Sequence, residues 1–156
     1  MSGPYEEIVD GECLLRLPPS PRHEVICQRL HLTVAAGLAA VATTRLLSAR
    51  SLVQLAAGTM IRPDLALVTT ATGKIWLAAE IISSDDHKSD TVIKKMAYEE
   101  INLPRLWMID PRYNNVEIYH GTPYGLTLKK ILAGKELITE ALLPGLGLTV
   151  DELFQL

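Results

Sequence analysis

Two apolar runs separated by a turn signal constrain this chain more than any other feature. Asp64-Leu65-Ala66-Leu67-Val68 follows Pro63, and Ile75-Trp76-Leu77-Ala78-Ala79-Glu80-Ile81-Ile82 follows Thr70-Ala71-Thr72-Gly73. Short continuous apolar runs bounded by turn residues read as strands buried on both faces. Paired as a hairpin centred near Thr72, they set Asp64 and Glu80 opposite each other. Directly opposed side chains on antiparallel strands sit about 5 Å apart, and like charges there repel. A sheet accepts such a pair when a cation lies between the carboxylates or when one of them is protonated. Glu80 is the sharper signal, because a lone carboxylate among alanines and isoleucines costs several kcal/mol to bury unpaired. Asp64 after proline is also ordinary turn chemistry.

The rest of the chain supplies the surroundings. Tyr5 to Val9 and Glu12 to Leu17 flank Asp10-Gly11, a two-residue hairpin signal. Ser20 reads as an N-cap with Pro21 at the first helical position, and a helix is expected from there to about Ala40. Its apolar stripe is Ile26, Leu30, Val34 and Leu38, and His23 lies on the same stripe one turn earlier, pointing inward. Leu46 to Ala56 reads as a strand with a bend. Ser83-Ser84-Asp85-Asp86 reads as a loop opening a helix from about Asp86 to Ile101, with Ile93, Met96, Ala97 and Ile101 as its core face. Asp90, Lys94 and Tyr98 recur every four residues along the edge of that face, while Lys88, Lys95 and Glu99 fall on the solvated side. Lys94 is therefore expected to lean over the sheet. Strands are expected at Arg105–Asp110 and Val116–Tyr119, and segments over Leu126–Leu132 and Thr149–Phe154 complete the chain. Trp76 and Trp107 read as core. The order predicts an α/β fold with a mixed sheet covered by helices. Two carboxylates and a lysine on adjacent elements suit metal-assisted phosphodiester hydrolysis.

Composition narrows the classes. At 156 residues with 48% hydrophobic content, one domain spanning 1–156 with a full core is expected. A net charge of −3 argues against coating nucleic acid by bulk charge, though not against a locally basic cleft built from some of Arg16, Arg22, Arg45, Arg50, Arg62, Lys74, Lys88, Lys94 and Lys95. The longest apolar stretch, within Val34 to Val41, is too short to span a bilayer, and Met1-Ser2-Gly3-Pro4 carries no signal core. The expectation is a cytoplasmic protein that does not engage membranes. Cys13 and Cys27 make neither a disulfide framework nor a zinc site and are expected as free buried thiols. No phosphate-binding glycine loop, zinc pattern or Ser/His/Asp constellation stands out.

Several pieces in order resemble one family. They are Tyr5-Glu6-Glu7-Ile8-Val9-Asp10-Gly11-Glu12, Ser20-Pro21-Arg22-His23, Arg62-Pro63-Asp64, and Glu80-Ile81-Ile82-Ser83 followed by Asp90, Lys94 and Tyr98. Leu106-Trp107-Met108-Ile109-Asp110-Pro111 and Leu143-Pro144-Gly145-Leu146 complete the set. Together they resemble the Uma family of "putative restriction endonucleases" within the PD-(D/E)xK nuclease superfamily. The superfamily's usual lysine would stand at Ile82, and the resemblance supplies it from the helix as Lys94.

That resemblance implies a restriction-endonuclease-like α/β core, a central mixed sheet flanked by helices, with an N-terminal β-hairpin. It implies hydrolysis of DNA phosphodiesters with Mg²⁺ or Mn²⁺. Asp64 and Glu80 would hold the metal, Lys94 and His23 would join them in catalysis, and Ser83, Asp90 and Tyr98 would stand behind them. DNA is the implied partner, and a homodimer is one open option for the assembly. The alternative is a nuclease-fold module without catalysis that binds nucleic acid or protein; a hydrolase of other phosphate esters is a third reading.

Overall fold

The computed structural model describes residues 3–83 and 88–156. Its first unit is the hairpin of β1 (Tyr5–Val9) and β2 (Glu12–Arg16), registered Val9↔Glu12. Asp10 and Gly11 both take positive φ, 51° and 79°, as a two-residue turn between right-twisted strands requires. Helix α1 (Pro21–Gly37) follows, with Ser20 Oγ accepting from the His23 amide as cap. It ends three residues short of the expected Ala40. The Leu38 and Ala39 amides bond back to Ala35 and Ala36 and tighten the last turn. There Gly37 packs on Gly145, and a Cβ on Gly37 would stand 3.3 Å from the Leu146 amide nitrogen.

The expected bent strand over Leu46 to Ala56 is instead two strands in different sheets, β3 (Thr44–Leu46) and β4 (Val53–Ala56). Between them Arg50 takes a left-handed φ of 57° and the Ser51 amide bonds to the Ser48 carbonyl, a turn that apolar periodicity does not signal. A strand absent from the sequence reading, β5 (Thr59–Ile61), pairs β4. Sheet order is β2-β1-β5-β4.

The central sheet has six strands in the order β10-β9-β8-β7-β6-β3. Strands β6 (Leu65–Thr69) and β7 (Ile75–Ile81) are the expected hairpin. Their register runs Leu65↔Ala79, Ala66↔Ala78, Leu67↔Leu77, centred on Thr72, before a bulge shifts Val68 to Ile75. Every residue of β7 is buried. A π-helical segment (Ser89–Lys94) runs into α2 (Lys95–Glu100), which crosses to β8 (Arg105–Asp110), parallel to β7. The expected start of that helix near Asp86, and the loop residues Ser84 to Asp86, lie outside the described residues. Antiparallel β9 (Asn115–Thr122) and β10 (Gly125–Ala133) complete the sheet. A hairpin of β11 (Leu137–Glu140) and β12 (Leu143–Thr149) leads into α3 (Val150–Phe154), which opens on a Thr149/Glu152 capping box. The sequence reading did not include β11 and β12.

Apolar clusters cover both faces of the sheet. One holds Ile26, Leu30, Leu65, Trp107 and Phe154 beneath α1, α3 and the β11–β12 hairpin. The other holds Val9, Ile61, Ala78, Tyr98 and Leu106 beneath α2 and the β1–β5 sheet. Three expectations change here. Met96 is exposed rather than core, because the buried face runs through Lys94, Ala97 and Tyr98. Lys95 is not on a purely solvated side, for its Nζ lies 4.4 Å from the centre of the Tyr119 ring. Cys13 is exposed on β2, and only Cys27 is the expected buried thiol.

Candidate active site

The two carboxylates emerge where the sheet meets both helices. One step beyond the Leu65↔Ala79 pair, the register sets Asp64 against Glu80. Side-chain alternation puts Glu80 on the side of Ala78 and Ile82. Both carboxylates are buried. They do not simply repel across the sheet, because each has acquired its own donors.

Glu80 is met from the helix. Lys94 Nζ donates to Glu80 Oε1 at 2.7 Å, and the Tyr98 hydroxyl donates to Glu80 Oε2. Lys94 leans over the sheet as its spacing predicted and is wholly buried. Its ammonium also lies 2.8 Å from Glu7 Oε2 on β1. Glu7 in turn binds Arg16 at 2.6 Å and the Arg62 amide at 2.7 Å. Arg16 reaches Asp90 Oδ1 at 2.9 Å, and the Ser83 amide donates to Asp90 Oδ2 at 3.1 Å. Asp90, Lys94, Tyr98 and Ser83 therefore belong to one network with Glu80.

Asp64 is met from the other side. Its Oδ1 accepts from His23 Nε2 at 3.0 Å and from Arg50 Nη1 at 3.1 Å, and its Oδ2 accepts from the Ile81 amide at 2.8 Å. The Ser20 cap fixes the first turn of α1 and so aims His23 inward. Arg50 also binds Glu24 at 2.6 Å. The Ile81 amide ties Asp64 to the residue after Glu80, so the two networks adjoin.

Burial alone would raise the Asp64 carboxyl, but His23, Lys94 and the Ile81 amide outweigh it and hold it at about 2. An ionised carboxylate only accepts, so His23 Nε2 carries the proton of that bond. Burial pushes Glu80 the other way, to about 8, against the pull of Lys94, and the charges on Asp64, Glu7 and Asp90 add to the rise. Lys94 itself is raised despite burial, because Glu80, Glu7 and Asp90 surround it. Among the described residues, four buried carboxylates (Glu7, Asp64, Glu80, Asp90) face three buried side chains of fixed positive charge (Arg16, Arg50, Lys94).

Sequence reasoning missed Glu7, and it named Arg16 and Arg50 only as candidates for a basic cleft, not as partners of these buried carboxylates. Glu7 was visible only as a hairpin residue. Its one available signal was alternation, which puts it on the same face of β1 as the core residue Val9.

A cleft of about 290 Å³ opens beside this cluster, lined by Ser20, Arg22, His23, Ser83 and Arg112 among others. It sits at the carboxyl ends of the parallel pair β7 and β8, where open α/β sheets commonly take their ligands. Among the described residues no group of three or more His, Cys, Asp or Glu is arranged to hold a metal ion. Asp64 and Glu80 are hard oxygen donors, and among the described residues Oδ2 of Asp64 accepts from the Ile81 amide and the two oxygens of Glu80 accept from Lys94 and Tyr98. Such a pair fits Mg²⁺ or Mn²⁺, which take one or two carboxylates and complete their shells with water and phosphate oxygens.

A six-stranded mixed sheet with helices on both faces, its carboxylates and lysine gathered at one end, is of the restriction-endonuclease-like α/β class. A crystal structure described as a putative nuclease belonging to DUF820, from Anabaena variabilis, has the same fold, with a TM-score of 0.80 at 16% identity over 97% of this chain and 90% of that one. The chain belongs to the family described as "Putative restriction endonuclease" (Uma2), whose pattern it matches over residues 2–151. No curated protein matches it. No helix among the described residues is long and apolar enough to cross a membrane.

Proposed function

We propose that the protein is a divalent-metal-dependent endonuclease hydrolysing DNA phosphodiesters, of the PD-(D/E)xK type with its lysine supplied from the helix. The observation that carries this reading is the convergence of Asp64, Glu80, Lys94 and His23, from four separate elements, beside one open cleft. Asp64 and Glu80 would hold Mg²⁺ or Mn²⁺. The bound metal would polarise the scissile phosphate and lower the pKa of an attacking water. Its charge would also oppose the burial and the neighbouring carboxylates that hold the Glu80 carboxyl up, and so favour its ionised form.

The chain's own residues account for the rest. Arg22 and Arg112 line the cleft, and although two bonds hold Arg112 to Asp110, both would offer their remaining N–H groups to the DNA backbone. His23 is fixed by Asp64 with its Nε2 proton inward and lines the same cleft. Lys94 would stabilise negative charge as it develops on the phosphate, an interaction that affects turnover more than binding.

Supercoiled plasmid incubated with Mg²⁺ or Mn²⁺ tests the reading. Lys94→Met should lower cleavage by on the order of a hundredfold or more, with DNA affinity near wild type. Lys95→Met is the matched control. Equal cleavage by the two variants would refute the role of Lys94.

One observation favours a second reading, a nuclease-fold module that binds nucleic acid without cutting it. Lys94 is held by two carboxylates at once, and every oxygen of Asp64 and Glu80 already has a protein donor. Wild type that cuts no DNA with either ion, and gains no thermal stability from Mn²⁺, would establish the module.

A further inference from the structure

A second cleft, of about 660 Å³, lies between the β8–β10 part of the sheet and the β11–β12 hairpin. Its floor is aliphatic: Ile118, Leu132, Leu143 and Leu146. Its rim carries Arg105, His120, Lys129 and Lys130. None of these residues lines the cleft beside His23.

The rim depends on a bulge. Strands β9 and β10 pair Thr127↔His120 and Leu128↔Tyr119, and the register then slips so that Lys130, not Lys129, faces Ile118. Consecutive residues of a regular strand point to opposite faces. The extra residue breaks that rule, and both lysines line one cleft. Arg105 is already spoken for, since its Nε donates to both Glu140 oxygens at 2.9 and 3.2 Å. Lys129 and Lys130 have no ion-pair partner among the described residues. Burial and then the charges of Arg105, Lys129 and Lys130 depress the His120 pKa, which Glu140 opposes, and all five residues line this one cleft. In a chain of net charge −3 this is a local excess of positive charge.

A volume of this size lies within the usual range for ligand sites. Two ammonium groups without an ion-pair partner among the described residues, over an aliphatic floor, suit a flat, weakly polar body that carries either one phosphate monoester or two neighbouring phosphodiesters. An acidic peptide would satisfy the rim and leave the floor wet. We propose that this cleft binds a nucleotide unit, with its phosphoryl group on Lys129 and Lys130 and its sugar and base on the aliphatic floor. The unit is either a free nucleotide or part of a nucleic-acid strand. The site stands independently of hydrolysis at Asp64 and Glu80.

Binding to the whole chain in EDTA tests it, with thymidine 5′-monophosphate and a fluorescein-labelled thymidine octamer as separate probes. Each expected complex shifts the His120 ring resonances saturably, and Lys129→Ala/Lys130→Ala weakens it at least tenfold. Lys74→Ala, at an exposed lysine on the β6–β7 turn, should leave it unchanged. Binding of the monophosphate identifies a free nucleotide as sufficient, and binding of the octamer alone identifies a strand. The proposal is overturned if neither probe shifts His120, if the double variant binds like wild type, or if a poly-glutamate peptide binds as tightly as the octamer. No cleavage is measured, so a protein that fails to cut DNA leaves this result intact, and failure here leaves the nuclease reading intact.

Discussion

Lys94 Nζ lies 2.8 Å from Glu7 Oε2, and this buried contact ties the N-terminal hairpin to the helix that serves the candidate site. Both side chains are almost fully excluded from water. Removing the ammonium alone would leave Glu7 and Glu80 buried without their main cation, which costs about 3–5 kcal/mol when a buried pair is broken. Lys94→Met should therefore lower the melting temperature clearly, and Glu7→Gln/Lys94→Met should recover part of the loss. A double-mutant cycle measures the coupling, and strict additivity would show that the two residues do not act as a pair. The cleavage comparison with Lys95→Met is to be read on protein shown to be folded at the assay temperature.

Asp64 and Glu80 should respond oppositely to loss of charge. Repulsion between opposed carboxylates would make Asp64→Asn harmless in the absence of metal. The structure reverses that expectation, because Asp64 is the anion that His23, Arg50 and the Ile81 amide all require. Asp64→Asn should cost about 3 kcal/mol, or roughly 10 °C for a domain of this size. Glu80→Gln, in EDTA at pH 8, should melt no lower than wild type, since Lys94 keeps Glu7. Thermal unfolding of both variants decides the matter, and a large loss in Glu80→Gln would contradict it.

Their pH dependences also differ in sign. The Asp64 carboxyl is held at about 2, below its ordinary 3.8, so its contribution is present above 3.8 and lost as the pH falls through about 2. Glu80 is raised to about 8 from 4.5, so its contribution is complete below 4.5 and lost as the pH rises through about 8. Metal-free wild type should lose stability across that upper window, and Glu80→Gln should lose less. Added Mn²⁺ should restore wild type by binding the native state and leave Glu80→Gln largely unchanged. Denaturant midpoints measured in EDTA and in Mn²⁺ across this range provide the check.

Gly121→Ala should destabilise the central sheet where β9 passes the segment before β8. A Cβ there would stand 2.4 Å from the Leu103 carbonyl oxygen, which is backbone and cannot swing aside. Overpacking of this kind costs about 1–3 kcal/mol. Gly147→Ala, on a strand with nothing within 4 Å of its Cβ, is the control and should be close to neutral. Equal melting temperatures for the two variants would rule out the close approach.

One thiol should react in the folded protein and two after unfolding. Cys13 is exposed, whereas Cys27 is buried and its thiol is pushed up to about 12 by burial and by Asp64. Titration with a thiol-specific chromophore in native and denaturing buffer counts both. Two rapid equivalents in the native state would mean that the α1 packing over Asp64 is loose.

Local signals in the sequence determined the turns, the caps and the central register. Asp10-Gly11 supplied the left-handed pair of the first turn, Ser20-Pro21 started α1 and aimed His23, and the spacing about Thr72 matched Asp64 to Glu80. The four-residue repeat of Asp90, Lys94 and Tyr98 put Lys94 over the sheet. These succeeded because each rests on interactions within a few residues or on one strand pair. What the tertiary structure decided was partnership. Glu7 meets Lys94, Arg50 meets Asp64, Gly37 meets Gly145, and the β10 bulge turns Lys129 and Lys130 into one cleft. Met96 and Cys13 face water for the same reason, since an apolar side chain is buried only where a second element covers it. The charge each carboxylate carries follows from those distant partners, so the difference between Asp64 and Glu80 could be set only once the chain had folded.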